Sequence, residues 1–255
     1  MINDFIEYKD SLILYKDGVS SLDYGIRVLN TNILSSPKPD IEHIEIPGRD
    51  GSLSVFNGWE DFIFEVECVL IGDEKESMAS IARKAKRFLV EGTNCKLQSS
   101  EDMDFYLIGS INSKLDLEEV LENFSNNFKV TYRCKPHRYY KNVSTLTVRG
   151  NNQATVNIVH DDCKPKFTIK CNGDITITVN DDDLILKGVT DNIVVDCDLM
   201  DCYKLETKPY IRMVPQNHLM YSFFPKFVRG TNTISVATSD TNAVVKIDWR
   251  EVSIY

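Results

Sequence analysis

Alternation of apolar and polar residues is clearest on the two sides of a glycine-rich turn, Pro47–Gly51. Apolar residues spaced two apart, as on one face of a strand, flank this turn: Ile44 and Ile46 before it, Leu53 and Val55 after it. In the turn, proline presets φ and the two glycines adopt backbone conformations closed to other residues. The pattern predicts a β-hairpin over residues 44–58. Its simplest interpretation is a surface hairpin that only joins two strands.

The same period of two runs through much of the remaining chain. It is strong in Asp61–Ile71 and in Phe128–Cys134, where one side is apolar and the other mostly polar. From Val143 onward, short alternating or apolar runs are divided by turn residues, with no convincing helix. This spacing is typical of an all-β sandwich or jelly roll.

The period changes clearly once, over residues 74–91. Apolar residues recur there at helical spacing: Met78, Ile81, Ala82, Ala85, Phe88 and Leu89. Asp73 is a candidate cap, acidic residues come first and basic residues last, as the helix dipole favours, and Gly92 follows as a stop. We predict an amphipathic helix whose basic cluster is a solvated face rather than a nucleic-acid or membrane patch. Residues 115–124 fit both a helix and a strand.

These elements predict a mainly β protein of two domains, residues 1–140 with the one helix and residues 141–255 with strands alone. The formal net charge is −9, and residues 1–140 account for −8 of it, with 16 basic and 24 acidic side chains. An acidic chain of this kind argues against gripping nucleic acid, because phosphate binding needs a basic face.

Composition also bears on membranes and compartment. The sequence has no run of eighteen apolar residues to span a membrane, and its acidic N-terminus is unlike a secretion signal. We therefore expect the chain to fold in a cytoplasm. Its seven cysteines form no Cys-x-x-Cys pair, so we expect reduced thiols.

No stretch of the chain has the spacing of a catalytic, phosphate-binding or metal-binding motif. His160–Cys163 is a candidate metal site and Asp181–Asp183 a candidate calcium loop, but polar turns between strands explain both. We predict no enzyme activity, no cofactor and no metal. An alternative function is carbohydrate binding through residues 141–255, with aromatic side chains stacked on sugar rings; the candidates are Tyr139, Tyr140, Tyr221, Phe223, Phe224 and Phe227.

Three collinear stretches resemble the distal tail protein of long-tailed bacteriophages that infect Gram-positive hosts. The first is Ile46–Gly51, similar to that family's PGRDG signature. The second is Phe128–Tyr139, similar to its domain-closing strand and Pro-x-x-Tyr exit. The third is Ile193–Lys204, followed by the FP-x-x-x-x-G-x-N-x-I run at residues 224–234 and by Asp248–Arg250. The resemblance covers nearly the whole chain.

The resemblance implies a structural virion protein at the phage tail tip, assembled in the bacterial cytoplasm. It implies an N-terminal β-sandwich domain related to tail-tube proteins and a galectin-like C-terminal domain. Six copies would form a ring that joins the tail-tube protein to the tail-tip protein, with receptor-binding proteins on the periphery where the baseplate has them. DNA would pass through without specific binding, and no membrane would be bound.

A ring subunit must offer surfaces to its neighbours, and strand edges or hairpins are common ones. We predict that the hairpin packs on the adjacent subunit. The predicted interface residues are Ile46, Pro47, Gly48, Arg49, Asp50, Gly51, Phe56 and Trp59. The acidity of the N-terminal part leads to a second hypothesis, that the ring's channel is negative and lets DNA slide.

Overall fold

The protein is described by a computed structural model that covers residues 12–72, 76–116, 119–121, 124–204 and 223–254. It is mainly β, with 57% strand and 8% helix, which confirms the predicted fold class. The chain divides into two compact units: unit 1 runs to Tyr139 and takes in Ile254–Tyr255, and unit 2 is Tyr140–Ser253. No helix of the described residues is long and apolar enough to cross a membrane.

The described part of unit 1 contains one α-helix and twelve strands. Its elements in chain order are β1 Leu14–Lys16, β2 Val19–Ser20, a 3-10 turn Ser21–Tyr24, β3 Ile26–Thr31, β4 Pro39–Glu45, β5 Ser52–Trp59, β6 Phe62–Leu70, α1 Met78–Val90, β7 Cys95–Ser99, β8 Phe105–Ile111, β9 Glu119–Leu121, β10 Phe124–Ser125, β11 Phe128–Cys134 and β12 Arg138–Tyr140, whose last residue opens unit 2. β9 and β10 pair with each other, so residues 119–121 and 124 of the ambiguous segment take the strand form.

Unit 2 is built from strands in its described part. They are β13 Ser144–Arg149, β14 Gln153–Ile158, β15 Lys166–Lys170, β16 Gly173–Val179, β17 Asp182–Val189, β18 Asn192–Asp196, β19 Asp201–Tyr203, β20 Gly230–Thr238, β21 Val244–Trp249 and β22 Val252–Ser253. Strands β13 to β21 form a five-stranded sheet ordered β13-β21-β15-β18-β19 and a four-stranded sheet ordered β14-β20-β16-β17. Side chains of both sheets, among them Phe167 and Ile177, share one buried cluster.

The main sheet of unit 1 follows the order β2-β1-β7-β8-β11-β6-β3. Its centre is the antiparallel pair β6–β11, where Phe64 lies opposite Tyr132 and Val66 opposite Val130. These four side chains are buried, while their mostly polar neighbours along the strands are exposed or half-buried. Strict alternation therefore places one apolar face of this sheet in the core.

Helix α1 covers that face with the residues that the pattern selected. Met78, Ile81, Ala85, Phe88 and Leu89 are buried. The helix is shorter than the predicted 74–91: Ser77 is the cap residue with extended backbone, and the Glu76 side chain contacts Ser80 and Lys84. The candidate cap Asp73, with Glu74, lies outside the described residues.

The C-terminal end of α1 is held by a buried lysine from β1. Nζ of Lys16 donates to the carbonyl oxygens of Phe88 at 2.7 Å and Leu89 at 3.1 Å, and also to that of Glu91. The hydroxyl of Tyr132 donates to the same Leu89 oxygen at 3.1 Å. These bonds satisfy carbonyl groups that a helix end leaves open, so they fix α1 against the sheet.

Candidate assembly surface

Strands β4 and β5 form a two-stranded sheet of their own, which we call the arm (residues 39–59). The strands pair from Pro39 opposite Trp59 at the base to Glu45 opposite Ser52 near the tip, with one register shift between Asp40 and Ile41. At the base, the Glu60 amide donates to the Lys38 carbonyl at 2.9 Å. The predicted hairpin over 44–58 therefore exists and extends five residues further toward the N-terminus.

The tip of the arm is the turn that the sequence marked. The Arg49 amide donates to the carbonyl of Ile46 at 3.1 Å. Gly48 and Gly51 have φ of +79° and +80°, in the left-handed region that favours glycine, and an added Cβ at either position would meet open space. The tip is thus shaped by its own backbone.

Apolar side chains of the arm lie exposed on strands that pair with no further described strand. Ile44 and Leu53 face each other across the strands and are 40% and 45% exposed, and Phe56, opposite Ile41, is 57% exposed. An isolated two-stranded hairpin is only marginally stable in water, and clustered exposed apolar groups mark interaction surfaces. The arm thus has the character of a docking element.

The structure divides the predicted interface residues into two groups. Residues 46–51 form the tip, whereas Phe56 and Trp59 lie toward the base, with ring centroids 5.6 Å apart in an edge-to-face arrangement. Sequence reasoning missed that Ile41, Ile44 and Leu53 are exposed. Alternation predicts which residues share a face of a strand, but it does not reveal whether another element covers that face.

Charge is distributed unevenly between the arm and α1. The arm carries four carboxylates, Asp40, Glu42, Glu45 and Asp50, against one base, Arg49. None of these five forms an ion pair with another described residue. The helix carries four bases and no acid.

The candidate metal site at His160–Cys163 has a structural role instead. Asp162 accepts from Nζ of Lys226 at 2.8 Å and from the Arg229 amide at 3.1 Å. Partial burial opposes ionisation of Asp162, but these hydrogen bonds outweigh it and lower its pKa. Cys163 is buried in the core, and burial raises its pKa to about 12. The described residues contain no group of side chains arranged to hold a metal ion.

The other candidates are also accounted for by local structure. Asp181 and Asp182 stand at the turn between β16 and β17, where Asp183 accepts from the Thr178 hydroxyl at 2.6 Å. The aromatic candidates for sugar stacking are scattered: Phe227 is buried, Tyr139 stacks on Tyr106, and Phe223 is 75% exposed. Tyr221 lies outside the described residues. The described aromatic side chains of this set form no common exposed platform.

The described residues form two β-rich units, and in unit 1 one helix covers the sheet and the arm pairs with no further described strand. No protein-family model and no curated protein sequence matches the chain. Among solved structures, the chain is similar to the Dit protein of phage SPP1, described as a paradigm of the hub adsorption apparatus in phages infecting Gram-positive bacteria. The TM-score is 0.74 at 15% identity, covering 94% of this chain and 98% of that one.

A second similar structure comes from the phage P2 baseplate in its activated conformation with Ca. It has a TM-score of 0.51 at 9% identity and covers 96% of this chain and 99% of that one. At these identities the likeness is one of fold. The predicted resemblance to the distal tail protein is confirmed at that level.

Proposed function

We propose that the protein is a structural, non-enzymatic component of a phage baseplate, the hub at the distal end of the tail. The observation that carries this proposal is the likeness to the SPP1 hub protein, which extends over nearly the full length of both chains. A similarity confined to one unit would be expected of a domain that otherwise unrelated proteins share. This similarity extends over both units. The exposed arm adds independent support, because a subunit of an assembly needs surfaces that it does not satisfy by itself.

In this proposal six copies form a ring in the virion, after assembly in the bacterial host cytoplasm. Residues 1–140 are the ring-forming, tail-tube-like domain, and residues 141–255 are a galectin-like domain on the outside. The ring joins the tail-tube protein above to the tail-tip protein below and carries receptor-binding proteins where the baseplate has them. DNA passes through the ring, whose channel we propose to be negative. A ring structure with a neutral or basic channel would contradict that last feature.

The arm is the proposed contact between neighbouring subunits, through Ile46–Gly51, Phe56 and Trp59 together with the apolar positions that the structure adds. Deletion of Pro47–Gly51 removes the tip while leaving every buried side chain of unit 1 in place. We expect native mass spectrometry to find a six-chain mass for the unaltered protein and smaller species for the deletion. A six-chain mass for both would show that the tip is not the contact.

Hub function itself is tested by partner capture. The full chain, immobilised by an affinity tag, is mixed with the tail-tube and tail-tip proteins encoded beside it in the same phage genome. We expect it to retain each of them, and retention of both at once if it is the joint between them. Failure to retain either would overturn the hub assignment.

The carbohydrate-binding alternative makes a different prediction. A wall-polysaccharide module needs exposed aromatic platforms, and the described candidate aromatics of unit 2 do not supply one. Titration with purified host wall polysaccharide separates the two functions: the hub expects no saturable binding by the isolated protein. Saturable binding that is lost on changing Phe223 to alanine would favour the alternative.

A further inference from the structure

Two surfaces of unit 1 complement each other in charge. The arm, residues 39–59, has four acidic side chains and one basic one, a net of −3 with His43 neutral. The exposed face of α1 carries four basic side chains within the five residues 83–87, the most basic stretch of the chain, and the helix has no acid. Opposite fields of this kind attract and orient two surfaces as they approach.

Each surface has charged side chains that form no ion pair with another described residue. On α1, Lys84 pairs with Glu76 at 2.7 Å and Arg87 with Glu91 at 2.9 Å, whereas Arg83 and Lys86 form no ion pair with any described residue. On the arm, Glu42 and Glu45 are exposed and likewise have no basic partner in the described part of the chain. The unpaired bases of α1 could therefore form ion pairs with the unpaired acids of the arm.

The exposed face of α1 also has a suitable shape and apolar character. Ala79, Arg83, Lys86 and Val90 are all exposed and fall three or four residues apart, so they lie along one stripe of the helix. Val90 is 45% exposed at one end of the stripe. Thirteen helical residues span about 20 Å and seven strand residues about 23 Å, so the arm can lie along the whole stripe.

The helix is a firm surface to dock on. Lys16 and Tyr132 hold its C-terminal carbonyl groups, and its buried face packs on the sheet. A contact made by the arm of one chain on the helix of the next uses two different patches of the same chain. Such a head-to-tail contact repeats around an axis and closes into a ring when the rotation allows.

We propose that the arm of one copy docks on the exposed face of α1 of a second copy. In this contact Glu42, which lies on the same face of the arm as Ile44 and Leu53, faces Arg83 and Lys86, and Ile44 and Leu53 cover the apolar part of the stripe. The inference rests on the proposed hub function and sharpens it by naming the surface that receives the arm.

Charge reversal in the full-length protein tests this contact. One variant reverses the charge on the docking face of the arm (Glu42→Lys), a second reverses the helix (Arg83→Glu with Lys86→Glu), and a third carries both reversals. We expect each single-surface reversal to raise the dissociation constant of self-association by about tenfold or more, and the combined variant to recover most of the loss. The measurement is sedimentation velocity over a concentration series.

The control is Arg149→Glu with Lys170→Glu in unit 2, two exposed bases whose reversal changes the net charge as much as the helix reversal does. It is expected to leave association unchanged. Circular dichroism checks that each variant is folded, and recovery in the combined variant separates a specific contact from a damaged surface. A helix reversal that associates like the unaltered protein, or a combined variant that recovers nothing, would overturn the proposal.

Carbodiimide cross-linking gives a direct readout, because it joins a carboxylate to an amine without a spacer. A mixture of isotope-labelled and unlabelled chains should give mixed peptides that link Glu42 to Lys86. Cross-links from the arm to any other region would refute the contact while leaving a ring and a hub intact. No self-association at the highest attainable concentration would refute both the contact and the ring, whereas the hub assignment stands or falls by the separate capture of tail proteins.

Discussion

Two hairpins of nearly equal length differ in how deeply their apolar side chains are buried. In unit 2, β16 and β17 pair Ile177 with Leu184, and both side chains are fully buried. In unit 1, β4 and β5 pair Ile44 with Leu53, and both are about half exposed at 40% and 45%. The apolar–apolar pair is the same in kind. The difference is that a second sheet covers the β16–β17 hairpin, whereas the arm pairs with no other strand of the described chain.

This contrast shows that alternation reports a strand with an apolar face but not what covers that face. In β16–β17 the cover comes from the same chain, and the pair adds to the stability of unit 2. In the arm no cover is present in the described part of the chain, so its apolar side chains are available to a partner. Three measurements would break or sharpen this comparison.

The largest expected effect is a loss of stability at alkaline pH, because the cysteines that titrate are buried in the two cores and the arm has none. Burial raises the pKa of Cys68, Cys134, Cys163 and Cys197 from 9.0 to about 12 and that of Cys202 to about 11. Between these values the unfolded chain has lost protons that the folded chain keeps, so stability falls as pH rises. At about 1.4 kcal/mol per thiol and pH unit, the five thiols together cost about 13 kcal/mol at pH 11 relative to pH 8.

Urea denaturation over this pH range, followed by circular dichroism, measures the loss. Lys16 opposes it as a single group, since burial lowers its pKa and the unfolded chain then holds the extra proton. Changing Cys197 to alanine should remove about a fifth of the slope. Deletion of the arm tip, which carries no cysteine, should leave the slope as it is. A flat profile would mean that these thiols are accessible in the folded protein.

The next effect compares the two hairpins directly by the same substitution. Leu184→Ala should lower the free energy of unfolding by about 2–5 kcal/mol, because it leaves a cavity in a closed core. Leu53→Ala should change it by less than about 0.5 kcal/mol, because the side chain is half in water. Both are measured by urea unfolding of dilute protein. Equal losses would contradict the view of the arm as a separate element.

The smallest effect concerns glycine turns. Gly51 at the arm tip and Gly18 between β1 and β2 both have φ near +80°, and an added Cβ meets open space at both. Alanine should cost about 1 kcal/mol of backbone strain at either site. Gly18→Ala should show this cost in global unfolding. Gly51→Ala should show it only as faster amide exchange within the arm, and a global loss there would contradict the comparison.

Much of this fold is readable from the sequence because its determinants are local. Strict alternation located β6 and β11, and the change of period located α1 to within a turn. The true start of α1 escaped prediction because Asp73, Ser77 and Glu76 are all acceptable near a helix N-terminus, and only the backbone decides among them. Residues 115–124 stayed open because short apolar runs suit both periods.

The features that escaped prediction depend on contacts distant in sequence. Lys16 reads as an ordinary lysine next to a turn, yet its partners at the end of α1 lie more than seventy residues away. The exposure of Ile44 and Leu53 follows from the absence of a covering layer among the described elements, which no local pattern encodes. The PGRDG turn predicted a hairpin that the structure contains, and the structure adds the exposed apolar side chains of its two strands.

The separation of the arm from the core has a consequence for how this protein can change over time. A substitution in β16 or β17 must first satisfy the packing of unit 2, so folding removes most variants before function is tried. A substitution in β4 or β5 leaves the core as it was. Selection then acts on it only through the contact proposed for the arm. Recognition can therefore drift in this one segment while the rest of the subunit stays as it is.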